Sequence, residues 1–137
     1  MIKKFCYICL LCCLSTLYYE CSNTKSRDKA EADPEQVALA ESILSYFQEE
    51  QFDKIVEHFD AKMRLQMNKE QLAVVWAQLN AQVGKYANSE FYGTEKINNV
   101  GDKVVYTCYF GSQKLYFQLV LGKENKIIGF FFKPQPN

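Results

Sequence analysis

Few residues of this 137-residue chain have the type and spacing to do chemistry. Cys6, Cys9 and Cys12 form a C-x-x-C-x-x-C run, a spacing at which thiolates can collect a metal. The run lies inside an uncharged apolar stretch with no second cluster to complete a ligand set, so it reads as part of that stretch. His58 is the single histidine, with Glu57 and Asp60 beside it as acid–base or metal candidates. Adjacent helical positions point apart and one imidazole does not make a ligand set, so His58 is expected on the surface. Ser22-Asn23-Thr24-Lys25 satisfies S-x-x-K, but in a polar stretch with nothing to preorganise it. Gly111-Ser112 lacks the G-x-S-x-G frame of a nucleophile elbow, and its flanks read as a hairpin. After residue 21 there is no P-loop, dinucleotide fingerprint or zinc spacing. No catalytic residue, metal or cofactor is assigned.

Composition narrows the class. Hydrophobic residues make up 48% and charged residues 23%, ordinary for a globular domain. Ten Phe and nine Tyr point to a β-rich aromatic core. The formal net charge is zero, which carries no signature for nucleic acid. Its distribution is uneven: Asp28 to Asp60 holds ten acidic and two basic residues, Ala61 to Asn137 ten basic and five acidic. The simplest reading is an acidic helical half packed on a basic sheet half of one domain. The other is a basic face for a partner.

The N-terminus sets the expected compartment. Lys3 and Lys4 precede an apolar run from Phe5 to Leu17, too short for the ~20 residues of a membrane span. Residues 1–21 therefore read as a signal peptide. Cys21 closes it and precedes a polar stretch, the position of the acylated cysteine of a bacterial lipoprotein signal. Tyr18-Tyr19-Glu20 depart from the small residue usual before that cysteine. The expectation is an exported protein, lipid-anchored through Cys21 at the cell envelope, in the periplasm or on the outer surface. Residues 22–32 read as a flexible tether and 33–137 as the folded domain. With Cys21 acylated, Cys108 is a lone thiol expected in the core. With Cys21 free, a Cys21–Cys108 disulfide is the alternative.

The elements that would position any site follow from periodicity. Asp33-Pro34-Glu35-Gln36 is a helix start, with Asp33 as cap and Gln36 at the capping-box position. Val37, Ala40, Ile43, Leu44 and Phe47 make its apolar stripe. Phe52, Ile55, Val56 and Phe59 make a second, ending at Asp60. Ala61 to Met67 is expected as a short helical turn or loop anchored by Met63 and Leu65. Asn68 to Gln71 is another capping box, followed by a face of Leu72, Val75, Trp76, Leu79 and Val83 and a terminating Gly84. The period then changes to two. Strands are expected near Ser89 to Ile97 and over Lys103 to Phe110, Lys114 to Leu121 and Lys126 to Lys133, stopped by Pro134. This is α+β: three N-terminal helices packed on a curved four-stranded antiparallel sheet.

Phe52, Phe59-Asp60, Met63, Leu72-x-x-x-Trp76, Gly84 and Gly129-x-x-x-x-Pro134 occur in an order that resembles a family of bacterial domains of unknown function. That family belongs to the nuclear transport factor two-like (cystatin-like) superfamily, and its members occur as exported single domains or ahead of α/β-hydrolase domains. The resemblance spans roughly residues 35 to 134. It implies a cone of helices closed by a bent sheet, with a pocket between them. It carries no catalytic residues over.

Three functions stay open. The first is a non-catalytic domain binding a small apolar ligand or a protein partner, the candidate pocket lined by Phe52, Phe59, Trp76, Tyr106 and Phe117. Trp76 would floor it, or else fill the helix–sheet interface. The second is a small isomerase- or dehydratase-type cone enzyme using a carboxylate and tyrosines, with strand residues Tyr92, Tyr106, Tyr109 and Tyr116 as donors and Glu90 and Glu95, near strand ends, as the few carboxylates. The third is a homodimer through the second sheet face: Val105, Thr107, Tyr109, Tyr116, Gln118 and Val120.

Overall fold

The computed structural model describes residues 25–26, 28–29 and 31–135. Four helices precede four long antiparallel strands: α1 (Pro34–Gln48), α2 (Phe52–Glu57), α3 (Ala61–Gln66) and α4 (Lys69–Val83), then β2 (Tyr86–Ile97), β3 (Gly101–Phe110), β4 (Lys114–Leu121) and β5 (Ile127–Pro134). A two-residue strand, β1 (Lys25–Ser26), pairs on the outside of β2, giving an open sheet of order β1-β2-β3-β4-β5. Cys21 and the expected signal peptide lie outside the described residues.

Helices α1, α3 and α4 each start where a side chain satisfies a free N–H group. The Asp33 carboxylate accepts from the Glu35 N–H at 2.9 Å. Asn68 and Gln71 form the reciprocal capping box over α4, at 2.9 and 3.0 Å. Gln36 does not close a box with Asp33. Its Nε2 donates across to the sheet, to Asp102 Oδ2 at 2.8 Å and Asn125 Oδ1 at 3.1 Å. Gln36 is only 7% exposed, so the amide is satisfied where an unpaired one would be costly.

The expected count of three helices becomes four. Asp60 does not simply end the second helix: its Oδ1 accepts from the Met63 N–H at 2.7 Å and starts α3. The side chains Met63 and Met67, one turn apart, are both buried. Leu65, expected as an anchor, is 91% exposed, because a residue two positions on lies on the opposite side of a helix. The first long strand also begins earlier than expected, at Tyr86.

Two junctions tie the helices to the sheet. Gly84 ends α4 at φ +91°, and a Cβ there would stand 2.9 Å from the Gly111 backbone. That approach lets Gly111 N–H donate to Lys85 O and Ser112 N–H donate to Val83 O, at 3.0 and 3.1 Å. At the other end, Asp60 N–H donates to Ile127 O and Ile127 N–H to His58 O, at 3.0 and 2.8 Å. This bridge links Phe59 to the first residue of β5.

The core lies between the apolar helix stripes and one sheet face. Val104, Tyr106, Cys108 and Phe110 of β3 and Leu115, Phe117, Leu119 and Leu121 of β4 point into it. Alternation with period two puts them on one side. Register shifts at Tyr86/Asn88, Phe91/Gly93 and Val120/Leu121 interrupt the ladders, and such irregularities bend strands. Pro134 sits at the end of edge strand β5, opposite Leu115, where a missing N–H is tolerated.

Candidate functional site

The inner face gathers most of the expected pocket residues, and it packs them against one another. Phe47 is the hub. Its ring lies 4.8 Å from Trp76, 6.2 Å from Phe117 and 6.4 Å from Phe52 between centroids. Phe130 and Phe132 complete the cluster, each 5.7 Å from Phe47. Phe59 stacks on Phe130 at 6.2 Å. Phe59 and Phe117 are fully buried, Trp76 nearly so and Phe52 partly. Phe47, Phe130 and Phe132 were missed as members of this group. Their signals were present in the sequence: Phe47 closes the α1 stripe, and the two outer members of Phe130-Phe131-Phe132 share a face by strand alternation.

Two open surface grooves border this cluster, each of about 260 Å³. Trp76, Asn80 and Tyr86 line one; Phe52, Asp53 and Lys69 line the other. Asn80 fixes the floor of the first, donating to Trp76 O at 2.8 Å and accepting from the Tyr86 N–H at 3.0 Å.

Tyr106, the fifth expected pocket residue, stands apart. Its ring meets Phe91 edge-on at 5.6 Å and its hydroxyl donates to Glu41 Oε1 at 3.0 Å. Lys29 Nζ also reaches Glu41 Oε1, at 2.5 Å. The Lys29 hydrogen bond holds the Glu41 carboxyl below the usual glutamate range, against a smaller opposing effect of burial. Burial and the bond to Glu41 push the Tyr106 hydroxyl far above the ordinary tyrosine range. The pair is therefore an ionised carboxylate accepting from a neutral phenol, an arrangement that holds a proton in place.

The other carboxylates considered for catalysis are also engaged. Glu90 accepts from the Tyr109 hydroxyl at 2.8 Å, and Glu95 pairs with Lys103 at 2.6 Å. His58 is half-buried and stacked on Tyr46, 6.4 Å between centroids. Burial, with a contribution from Lys126, lowers its pKa. Cys108 is buried as expected, and burial pushes its thiol up to about 12. Among the described residues no group of three or more His, Cys, Asp or Glu is placed to hold a metal ion. None of the described helices is long and apolar enough to cross a membrane.

The outer sheet face has a different character. Val105, Thr107 and Val120 are buried there, outside the core cluster that the described helices share with the inner face. On the same face Tyr92 lies 4.7 Å from Tyr116 between centroids, and Gln135 Nε2 donates to Thr107 Oγ1 at 3.3 Å. Phe131 is 45% and Tyr92 36% exposed. Lys114 lies over the Tyr109 ring and Lys133 over Phe131, at 5.1 and 5.3 Å.

Residues 40–130, which hold both junctions, the aromatic cluster and most of the outer face, match the family described as "Protein of unknown function (DUF3887)". The chain belongs to that family. No curated protein and no solved structure matches it significantly. The DUF3887 match begins at Ala40 and ends at Phe130, so it includes Phe52, Phe59, Trp76, Tyr106 and Phe117 but leaves out Phe131, Phe132 and the strand β1.

Proposed function

We propose that this is an exported, lipid-anchored, non-catalytic domain that binds a protein partner at the cell envelope through the outer face of its sheet. One observation carries the reading. The outer face presents exposed Phe131 and Tyr92 over buried Val105, Thr107 and Val120, where a solvated antiparallel sheet would ordinarily turn polar side chains outward. Such a patch suits a partner surface, and Lys114 and Lys133 beside it favour a partner with an acidic rim.

Export and acylation of Cys21 rest on the charged, apolar and cysteine-bearing order of residues 1–21. The helix-then-meander order and the bulged strands support a cone of the nuclear transport factor two-like, or cystatin-like, kind. The close-packed rings around Phe47 favour a protein partner over a small apolar ligand. The alternative of a small cone enzyme would draw on Tyr106 and Glu41. Such chemistry needs a base with a raised pKa, whereas Lys29 lowers that of Glu41.

The test is a photo-crosslinking residue placed at Phe131 or, as a control, at exposed Leu65, with the protein expressed in its own host. A discrete heterologous adduct at position 131 and none at 65 is expected. The same adducts at both positions, or none at either, would reject the outer face as the binding surface. An adduct of twice the chain mass at position 131 would assign that face to a homodimer.

A further inference from the structure

Lys25, Ser26 and Lys29, between the proposed anchor and the first helix, are held to the rest of the domain. Lys25 and Ser26 pair antiparallel with Glu95 and Thr94 of β2, covering part of an otherwise open sheet edge. The chain then turns, with Glu31 N–H donating to Asp28 O at 3.1 Å and Ala32 N–H to Lys29 O at 3.3 Å. Lys29 pairs with Glu41 of α1, the carboxylate that also receives the Tyr106 hydroxyl. Ala32 is buried, and Asp33 then caps α1. These contacts join the segment to the sheet edge, to α1 and, through Glu41, to β3.

The direction of β1 matters as much as its pairing. Because β1 is antiparallel to β2 and Lys25 lies opposite Glu95, the chain enters Lys25 from the side of Lys96, Ile97 and the β2–β3 turn. Cys21 is four residues upstream of Lys25, and four residues span at most about 14 Å. The turn presents Val100, which is 51% exposed. Lys96 and Lys123 at the same end of the sheet are exposed as well.

We propose that the described residues between Lys25 and Ala32 form a clasp, and that it holds the domain against the bilayer by the β2–β3 turn. This rests on the reading that Cys21 is acylated. A slack tether would let the domain rotate freely above the lipid. The clasp shortens the leash to the residues before Lys25, so one end of the sheet faces the membrane. The outer face carrying Phe131 then stands to the side, open to a partner in the same envelope layer.

The experiment uses the acylated protein in phosphatidylcholine–phosphatidylglycerol vesicles carrying a headgroup-attached quencher, with a fluorophore on Val100→Cys or Leu65→Cys. Quenching is expected to be several-fold stronger at position 100 than at 65. A Gly/Ser insertion of about ten residues before Lys25, adding a coil of roughly 17 Å, is expected to abolish most of that difference. Lys29→Glu, which puts two carboxylates together, is expected to reduce it. Equal quenching at both positions in vesicle-bound protein overturns the clasp and leaves the anchor reading intact. Absence of an acyl mass on Cys21, with no vesicle retention, overturns the anchor reading and this inference together. Amide exchange of the detergent-solubilised protein reports on the clasp without lipid. Protection at Ser26 that is lost in Lys29→Glu supports it, and unprotected exchange at residues 25–32 overturns it.

Discussion

At the scale of single residues, the molecule separates packing from ionisation. Phe47 is fully buried and touches five aromatic rings. Phe47→Ala removes the centre of that cluster and is expected to cost about 3–5 kcal/mol, read as a lowered urea midpoint. Cys108 gives a second check. Its thiol is buried and pushed up to about 12, and the thiolate is the reactive form. A maleimide is expected to leave native Cys108 unlabelled and to label it fully in denaturant; rapid labelling of the native protein would contradict the packing of β3. His58 sets a pH dependence. Burial lowers its pKa in the folded state, so the unfolded chain binds this proton more readily. Its contribution to stability is complete above the ordinary histidine value of about 6.5 and is lost as pH falls from there through the lowered folded-state value. His58→Gln is expected to flatten the stability profile in that window, measured by thermal melts between neutral and mildly acidic pH. An unchanged slope would show that another group carries it.

At the scale of elements, sequence pattern and structure agree where one face of an element is buried and differ where two elements meet. The stripe from Val37 to Phe47 and the alternation from Val104 to Phe110 were legible because burial on one side imposes a period. The α3 helix was legible only as a helical turn or loop, since six residues with one buried position give no period, and its start depends on Asp60 acting as a cap for the next helix rather than a stop for the last. Gln36 was misread for a related reason: its partners Asp102 and Asn125 are distant in sequence, and local capping rules see only neighbours. The pocket residues were legible as aromatic and buried. Their separation into a Phe47 cluster and a Tyr106–Glu41 pair was not, because it depends on which strand register faces which helix. Gly84 was legible as a helix end, though the reason for glycine there is tertiary. Its φ of +91° and the backbone of Gly111 both exclude a side chain. Gly84→Ala is therefore expected to destabilise by roughly 2 kcal/mol. Gly111→Ala, whose Cβ would meet its neighbours at an ordinary 3.6 Å, is expected to stay within about 0.5 kcal/mol of wild type. The two glycines face each other, so unequal costs in a denaturation series would locate the constraint on the helix side.

At the scale of the whole molecule, the question is whether helices and sheet are one cooperative unit. The uneven charge suggested an acidic half docked on a basic half, but the contacts that join them are chiefly apolar and hydrogen-bonded. Phe47 meets Phe117, Phe130 and Phe132 across the interface, and Glu41 and Gln36 bind Tyr106 and Asp102. The Gly84–Gly111 approach pins α4 to the β3–β4 hairpin, and the His58–Ile127–Asp60 bridge pins the short helices to β5. A helical layer held at both places gains little by leaving the sheet alone, because departure would expose the rings on each side together. Trp76 reports on this directly. It is the only tryptophan, it lies on α4, and it packs against Phe47, Tyr86, Phe110 and Phe132. Its fluorescence therefore follows helix–sheet docking, while far-UV circular dichroism follows the backbone. The two signals are expected to trace one coincident transition in urea, as for a two-state domain of this size. A fluorescence change that precedes the loss of dichroism would mean that the helices undock from an intact sheet, and the two junctions would then be too weak to make the layers one unit.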